Sequence, residues 1–193
     1  MKIPKQTGDI FKILSKGQFI SSNSPNQTIQ NLYSIIDQDD NFENLYEYFV
    51  HINFILEKGN EYFYFSRPEK IIDLEKKIEK AFEWIDILDF LKTFHNSFGA
   101  GFRFTPSEIL AKIPTDADLE IKLKKFNTLK KNISKTTYSD ILDRILKKLA
   151  DDTFIEIEND INQQYKVLSS FAYLEQLILT INIPTKTEDE ILK

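Results

Sequence analysis

"FILEKGNEYFYFSR", residues Phe54 to Arg67, reads as two short strands around a turn at Lys58-Gly59-Asn60. The second strand carries Tyr62, Phe63, Tyr64 and Phe65 in unbroken succession. Successive strand residues point to opposite faces of a sheet, so Phe63 and Phe65 can face a core while Tyr62 and Tyr64 face away from it. Phe54, Ile55 and Leu56 pose the same problem on the facing strand. A hairpin with one face in water alternates apolar and polar residues, so this one is expected to be covered on both faces. Two coverings for the Tyr62 and Tyr64 face are open at this point: a partner protein, or the long helix after Pro68 folding back over the sheet.

Around the hairpin lies a chain of 193 residues, 41% hydrophobic and 28% charged, which suits a soluble protein with one medium core or two small ones. No apolar run approaches the roughly 18–20 residues that span a bilayer. The start, "MKIPKQTGDIFKIL", lacks the apolar stretch and cleavage site of a signal peptide, so a cytoplasmic protein with no membrane association is expected. Zero cysteines exclude disulfides, thiol nucleophiles and cysteine-based zinc sites. Sixteen Phe and eight Tyr require burial in a core or against a partner. The net charge of −5 is uneven: Lys112 to Lys148 holds ten Lys/Arg against five Asp/Glu, leaving −10 for the other segments. Only that window attracts phosphate by charge.

Upstream of the hairpin, Asp9 opens a short helix with Ile10, Phe11, Ile13 and Leu14, and Gly17 suits its left-handed cap. Phe19-Ile20 forms a brief strand. Ser24 is placed as an N-cap with Pro25 at the first helical position, ahead of a stripe of Ile29, Leu32, Tyr33 and Ile36. The next helix takes Asp40 or Asn41 as its cap and Phe42, Leu45, Tyr46 and Phe49 as its stripe. Downstream, a long helix from about Ile71 to Phe94 has a seam of Ile71, Leu74, Ile78, Ala81, Ile85 and Leu88. After Ala81 it is apolar nearly all round, with Phe82 and Trp84 added, and is expected to be sandwiched on several sides. Phe102 to Phe104 is a short strand, and "TPSE" at Thr105 to Glu108 is a capping box whose helix Pro114 ends. A lysine-rich helix over about Ala117 to Lys131 and another over Tyr138 to Ala150 precede a second hairpin that turns near Asn159-Asp160. A helix over about Ser170 to Ile181 closes the chain before a polar tail after Pro184.

Helix, strand, helices and hairpin therefore occur twice. The expected fold is mainly α with small β-hairpin wings (α+β), as tandem winged-helix domains. Residues 1–68 are expected to form the first domain, 69–183 the connecting helix and second domain, and 184–193 the tail.

No catalytic constellation emerges, and no cofactor or metal is expected. His51 and His95 are not at ligand spacing, and each adjoins an apolar segment as a packed or surface histidine would. Asp86 and Asp89 have no partnering base, and Gly99 to Gly101 lacks the lysine and spacing of a phosphate loop. A DNA-reading helix carries basic and amide side chains, but the helix before the first hairpin has Glu43 and Glu47 and no Lys or Arg. The corresponding second helix places Arg144, Lys147 and Lys148 on one face for sequence-independent phosphate contact, with Lys124, Lys125, Lys130 and Lys131 adding charge nearby. The competing reading is a solvated face in which Asp140 and Asp143 pair with Arg144 and Lys147 four residues on.

"GQFISSNSP" at Gly17 to Pro25, "LY" at Leu32-Tyr33, "EYFYFSR" at Glu61 to Arg67, "WIDILDFLKTF" at Trp84 to Phe94 and "GFRFTPSEI" at Gly101 to Ile109 resemble the MukE/MksE-like subunits of bacterial condensins. The resemblance runs in order over nearly the whole chain. It implies a non-catalytic tandem winged-helix (KITE) subunit that dimerises and binds a kleisin subunit (MukF/MksF-like) bridging the heads of an SMC ATPase (MukB/MksB-like). It also implies a nucleoid-associated protein that meets double-stranded DNA without sequence preference, in chromosome organisation or in the related Wadjet plasmid defence. Tyr62, Tyr64 and Phe65 would then be partner-binding residues. A free-standing winged-helix transcription regulator is the alternative, and it needs a basic reading helix that the first half lacks.

Overall fold

The aromatic hairpin forms as β2 (Ile55–Gly59) and β3 (Tyr62–Ser66), antiparallel, with Leu56 opposite Phe65 and Glu57 opposite Tyr64, in a computed structural model that describes residues 3–66, 74–127 and 137–180. The turn falls one position later than expected, at Asn60-Glu61, because Gly59 still pairs with Tyr62. Glu61 supplies the left-handed residue, with φ 64°. A short strand, β1 (Ile20–Ser21), pairs with the other edge of β3, so the sheet order is β1-β3-β2.

Before and after β1 stand α1 (Thr7–Leu14), α2 (Gln27–Ile36) and α3 (Asp39–Val50). The cap of α2 is Asn26 rather than Ser24: the Asn26 Oδ1 accepts from the Thr28 N–H at 2.9 Å. Gln38, not Asp40 or Asn41, occupies the cap position of α3, whose first turn instead carries Asp39 and Asp40 against the positive helix end.

The second half contains α4 (Leu74–Phe94), β4 (Arg103–Phe104), α5 (Pro106–Lys112), a 3-10 turn at Ile113–Thr115 and α6 (Ala117–Lys125). It continues with α7 (Tyr138–Asp151), β5 (Ile155–Asn159), β6 (Gln164–Val167) and α8 (Phe171–Thr180). The expected capping box is present at Thr105 and Glu108, and a second one joins Thr137 to Asp140. Its sheet is ordered β4-β6-β5, so in both halves a two-residue strand pairs with the second strand of the following hairpin. The fold is mainly helical α+β, with eight helices and two small antiparallel sheets among the described residues.

Two hydrophobic clusters account for the doubly apolar hairpin. Ile10, Leu14, Leu32, Ile36, Leu45, Phe49, Leu56 and Phe63 form the first, with Phe65 partly buried against it. Phe19 and Tyr62 belong instead to the second cluster, with Trp84, Ile87, Phe90, Phe154 and Phe171, and Tyr64 packs against the same cluster. Strand β3 therefore lies between two cores, one for each of its faces.

Along α4 the buried positions are Ala81, Trp84, Ile87, Phe90 and Leu91, which face α6 and α8. That seam differs from the expected Ala81, Ile85 and Leu88, since Ile85 and Leu88 are only partly buried. Ile71 and the side chains of Leu74 and Ile78 lie outside the described residues. Phe82 is 49% exposed, so the helix is not enclosed all round. Tyr46 is likewise not on the buried stripe of α3 and stays 41% exposed.

Gly59 tests the packing of β3. A Cβ at Gly59 would lie 2.1 Å from the Tyr62 Cζ, and Tyr62 is 1% exposed and cannot swing aside. Gly59→Ala is expected to cost about 2–3 kcal/mol in urea unfolding. Gly8→Ala, in α1 with nothing within 4 Å of the added carbon, is the control and is expected to be neutral or to stabilise by roughly 0.5–1 kcal/mol.

Candidate functional site

The stretch from Gln18 to Ser24 is a polar seam that ties the first half to the second. The Phe19 N–H donates to the Thr153 Oγ1 at 2.7 Å, and the Gln18 Nε2 donates to the Asp151 carbonyl at 3.0 Å. Asn23 spans the junction by donating to the Val167 carbonyl at 3.2 Å and accepting from the Ser169 N–H at 2.8 Å. The Ser24 hydroxyl, expected as a helix cap, donates to the Glu156 carboxylate at 2.5 Å, and the Ser21 Oγ accepts from the Ser170 N–H at 3.3 Å. Ser21, Ser24, Ser169 and Ser170 are all buried, and each has a partner, as buried polar groups require. The sequence signal for this seam was the density of short hydrogen-bonding side chains in "QFISSNS" around a two-residue strand.

Above the seam lies an aromatic junction. Phe19 has ring centroids 5.7 Å from Tyr62, 5.6 Å from Tyr64, 5.2 Å from Phe154 and 5.1 Å from Tyr173. Tyr62 is covered here by its own chain, which corrects the expectation that it faces a partner. The cover is provided by Phe19 and the second-half core around Phe154, not by a long helix alone. Phe65 turns to the opposite face of β3, with its ring 4.7 Å from Phe49 and 5.0 Å from Phe54. Tyr64 is half-buried beside Tyr173 at 5.1 Å. Burial, reinforced by the Glu57 carboxylate opposite it, pushes the Tyr64 phenol up to about 12. Tyr64 and Phe65 line a cleft of about 360 Å³ with Phe19, Trp84, Tyr173 and Leu177.

On the basic face of α7 the three cations diverge. Lys148 forms an ion pair with Glu83 on α4, and its Nζ sits 4.6 Å from the centroid of the Trp84 ring. Arg144 is half-buried, donates from Nε to the Asp140 carbonyl at 3.2 Å and lines a small pocket with Glu83, Ile87 and Lys148. Lys147 alone of the three is well exposed, 3.9 Å from Asp151. The shared face inferred from helical spacing is thus split, because α4 packs close enough to draw Lys148 inward. The competing pairing is corrected for Lys147, which meets Asp151 instead of Asp143. Asp140 spends its carboxylate chiefly on the Thr137 cap, which holds it below its ordinary value, and the Arg144 charge adds a smaller pull in the same direction.

On α6, Lys124 pairs with Glu120 at 2.7 Å and Lys125 is exposed, while Lys130 and Lys131 lie outside the described residues. His51 meets the Glu47 carbonyl and His95 lies against Phe102. Among the described residues no group of three or more His, Cys, Asp or Glu is placed to hold a metal ion. None of the described helices is long and apolar enough to cross a membrane.

Two measurements follow from this geometry. Lys148→Ala is expected to lower stability by about 1 kcal/mol and shift the emission of Trp84, the lone tryptophan, whereas Lys147→Ala leaves both unchanged. The Tyr64 phenol is raised in the fold, so its contribution is complete below the unfolded value near 10 and is lost as pH climbs through about 12. Melting curves of Tyr64→Phe across that window are expected to fall less steeply than those of the wild type.

One family model, described as condensin complex protein MksE, matches residues 5–178. A comparison with curated proteins gave no match. The matched span takes in both hairpin-bearing halves, the polar seam and the aromatic junction. The chain belongs to the MksE family of condensin complex proteins.

Proposed function

We propose that the protein is a non-catalytic accessory subunit of a bacterial SMC/condensin-type complex, that it binds the kleisin subunit, and that it helps the complex clamp DNA. The observation that carries the reading is the family match, which extends over both halves of the chain. In this reading residues 1–68 and 69–183 are two winged-helix units, and the subunit works as a homodimer in chromosome organisation or plasmid defence. Protein binding falls to the first half, where α3 has no Lys or Arg and repels phosphate. The half-buried Tyr64 and Phe65, at the cleft between the halves, are the partner-binding residues kept from the hairpin.

DNA contact is proposed as sequence-independent and carried by the exposed lysines Lys147 and Lys125, with Lys124 adding to it although it also pairs with Glu120. Lys148 is already held by Glu83 and Trp84 of α4, and Arg144 is half-buried and bonded to the Asp140 carbonyl of its own helix. Lys130 and Lys131 lie in the same basic window and add to its field. The acidic remainder of the chain opposes approach to a duplex, so appreciable affinity belongs to the assembled complex, where other basic surfaces share the DNA.

Co-expression with a kleisin-like chain from the same genome is expected to give a stable complex in size-exclusion chromatography. A protein that ignores that chain overturns the reading. In the assembled complex, replacing Lys124, Lys125 and Lys147 by Glu is expected to weaken binding to two unrelated duplexes alike and to flatten its salt dependence. Preference for one duplex would favour a transcription regulator.

A further inference from the structure

We infer that the outer face of α3 is a docking surface for a basic amphipathic segment of a protein partner. This deepens the complex-subunit reading and rests on it. Helix α3 buries Leu45 and Phe49 in the first core, which leaves Asp39, Glu43, Tyr46, Glu47 and Val50 on the opposite side. Their spacing of four, three, one and three residues places them on one helix face. Exposed apolar side chains point to a contact when they stand together rather than singly. Here Tyr46 is 41% exposed, Val50 43%, and Ile52, just past the helix end, 41%.

The same surface carries uncompensated negative charge. Among the described residues Glu43 and Glu47 on this face form no ion pair and α3 itself contains no Lys or Arg, while Asp39, in the first turn, is within the field of Lys58. In the second half several helix cations are already matched: Lys122 pairs with Asp89 and Asp118, Lys124 with Glu120, and Lys148 with Glu83. An apolar stripe ringed by unpaired carboxylates repels nucleic acid and anionic lipid. It fits a polypeptide that brings aliphatic side chains to Tyr46 and Val50 and Lys or Arg to Glu43 and Glu47. A second copy of this chain would have to present other lysines, since Lys122, Lys124 and Lys148 already hold carboxylates.

The test uses the full chain and, as probe, a kleisin-like subunit from the same genome, with affinity measured by calorimetry at low and high salt. Tyr46→Ser with Val50→Ser is expected to weaken binding about tenfold or more, as central interface anchors do. Glu43→Lys with Glu47→Lys is expected to do the same by repelling a basic segment. Glu43→Gln with Glu47→Gln is expected to cost roughly threefold and to flatten the salt dependence. All four changed side chains are on the surface, so melting temperatures should stay near that of the wild type; if a Ser or Lys pair loses its melting transition, the Gln pair decides. Binding within about twofold of wild type for all three pairs, while the wild type binds the subunit, overturns the docking surface and leaves the complex-subunit reading intact. Loss of self-association with unchanged kleisin affinity overturns it equally. A wild type that does not bind the subunit removes both readings.

Discussion

Tyr62 and Phe19 form the contact on which the rest of the molecule depends. Strand β3 is the middle strand of its sheet, so both of its edges are hydrogen-bonded, and its two faces are buried in different cores. Fully burying each large apolar side chain is worth about 1.5–3 kcal/mol, and β3 places Phe63 on one side and Tyr62 on the other. The first half therefore cannot satisfy its own hairpin. Its outer face would expose Phe19, Tyr62 and Tyr64 together, an aromatic patch that the second half covers with Phe154 and Tyr173.

Apolar contact alone would let the halves slide, and the polar seam removes that freedom. Each hydrogen bond from Gln18, Phe19, Ser21, Asn23 and Ser24 contributes only about 1 kcal/mol net, but the groups are directional and several are buried. A shifted register would leave them without partners, at a cost of roughly 1–3 kcal/mol each. Aromatic burial supplies the attraction between the halves, and the seam specifies one arrangement.

Charge is distributed by the same logic. Lys148 is held between Glu83 and Trp84, and Lys122 between Asp89 and Asp118, so much of the basic window is spent on joining α4, α6 and α7. On α3, Asp39 and Asp40 serve the positive end of their helix, but Glu43 and Glu47 have no such internal use. A cation count along the chain thus overstates the surface offered to phosphate, and the acidic helix is the less compensated feature.

The local features were determined by the sequence itself. Leu32 and Ile36, or Ile141, Ile145 and Leu149, recur at helical spacing and are buried as that spacing requires. The Thr105 box, the hairpin and its apolar faces follow from side-chain chemistry acting over a few residues. The exclusion of thiol chemistry needs only a composition. Periodicity cannot say which neighbour covers a face, however. The covering of Tyr62, the exposure of Phe82 and Tyr46 and the capture of Lys148 by α4 depend on residues tens of positions away, as do the partners of Ser21, Asn23 and Ser24. Ser24-Pro25 looks like a helix cap because the local chemistry of a cap and of a buried seam hydroxyl is the same; only the approach of Glu156, 132 residues along, decided between them.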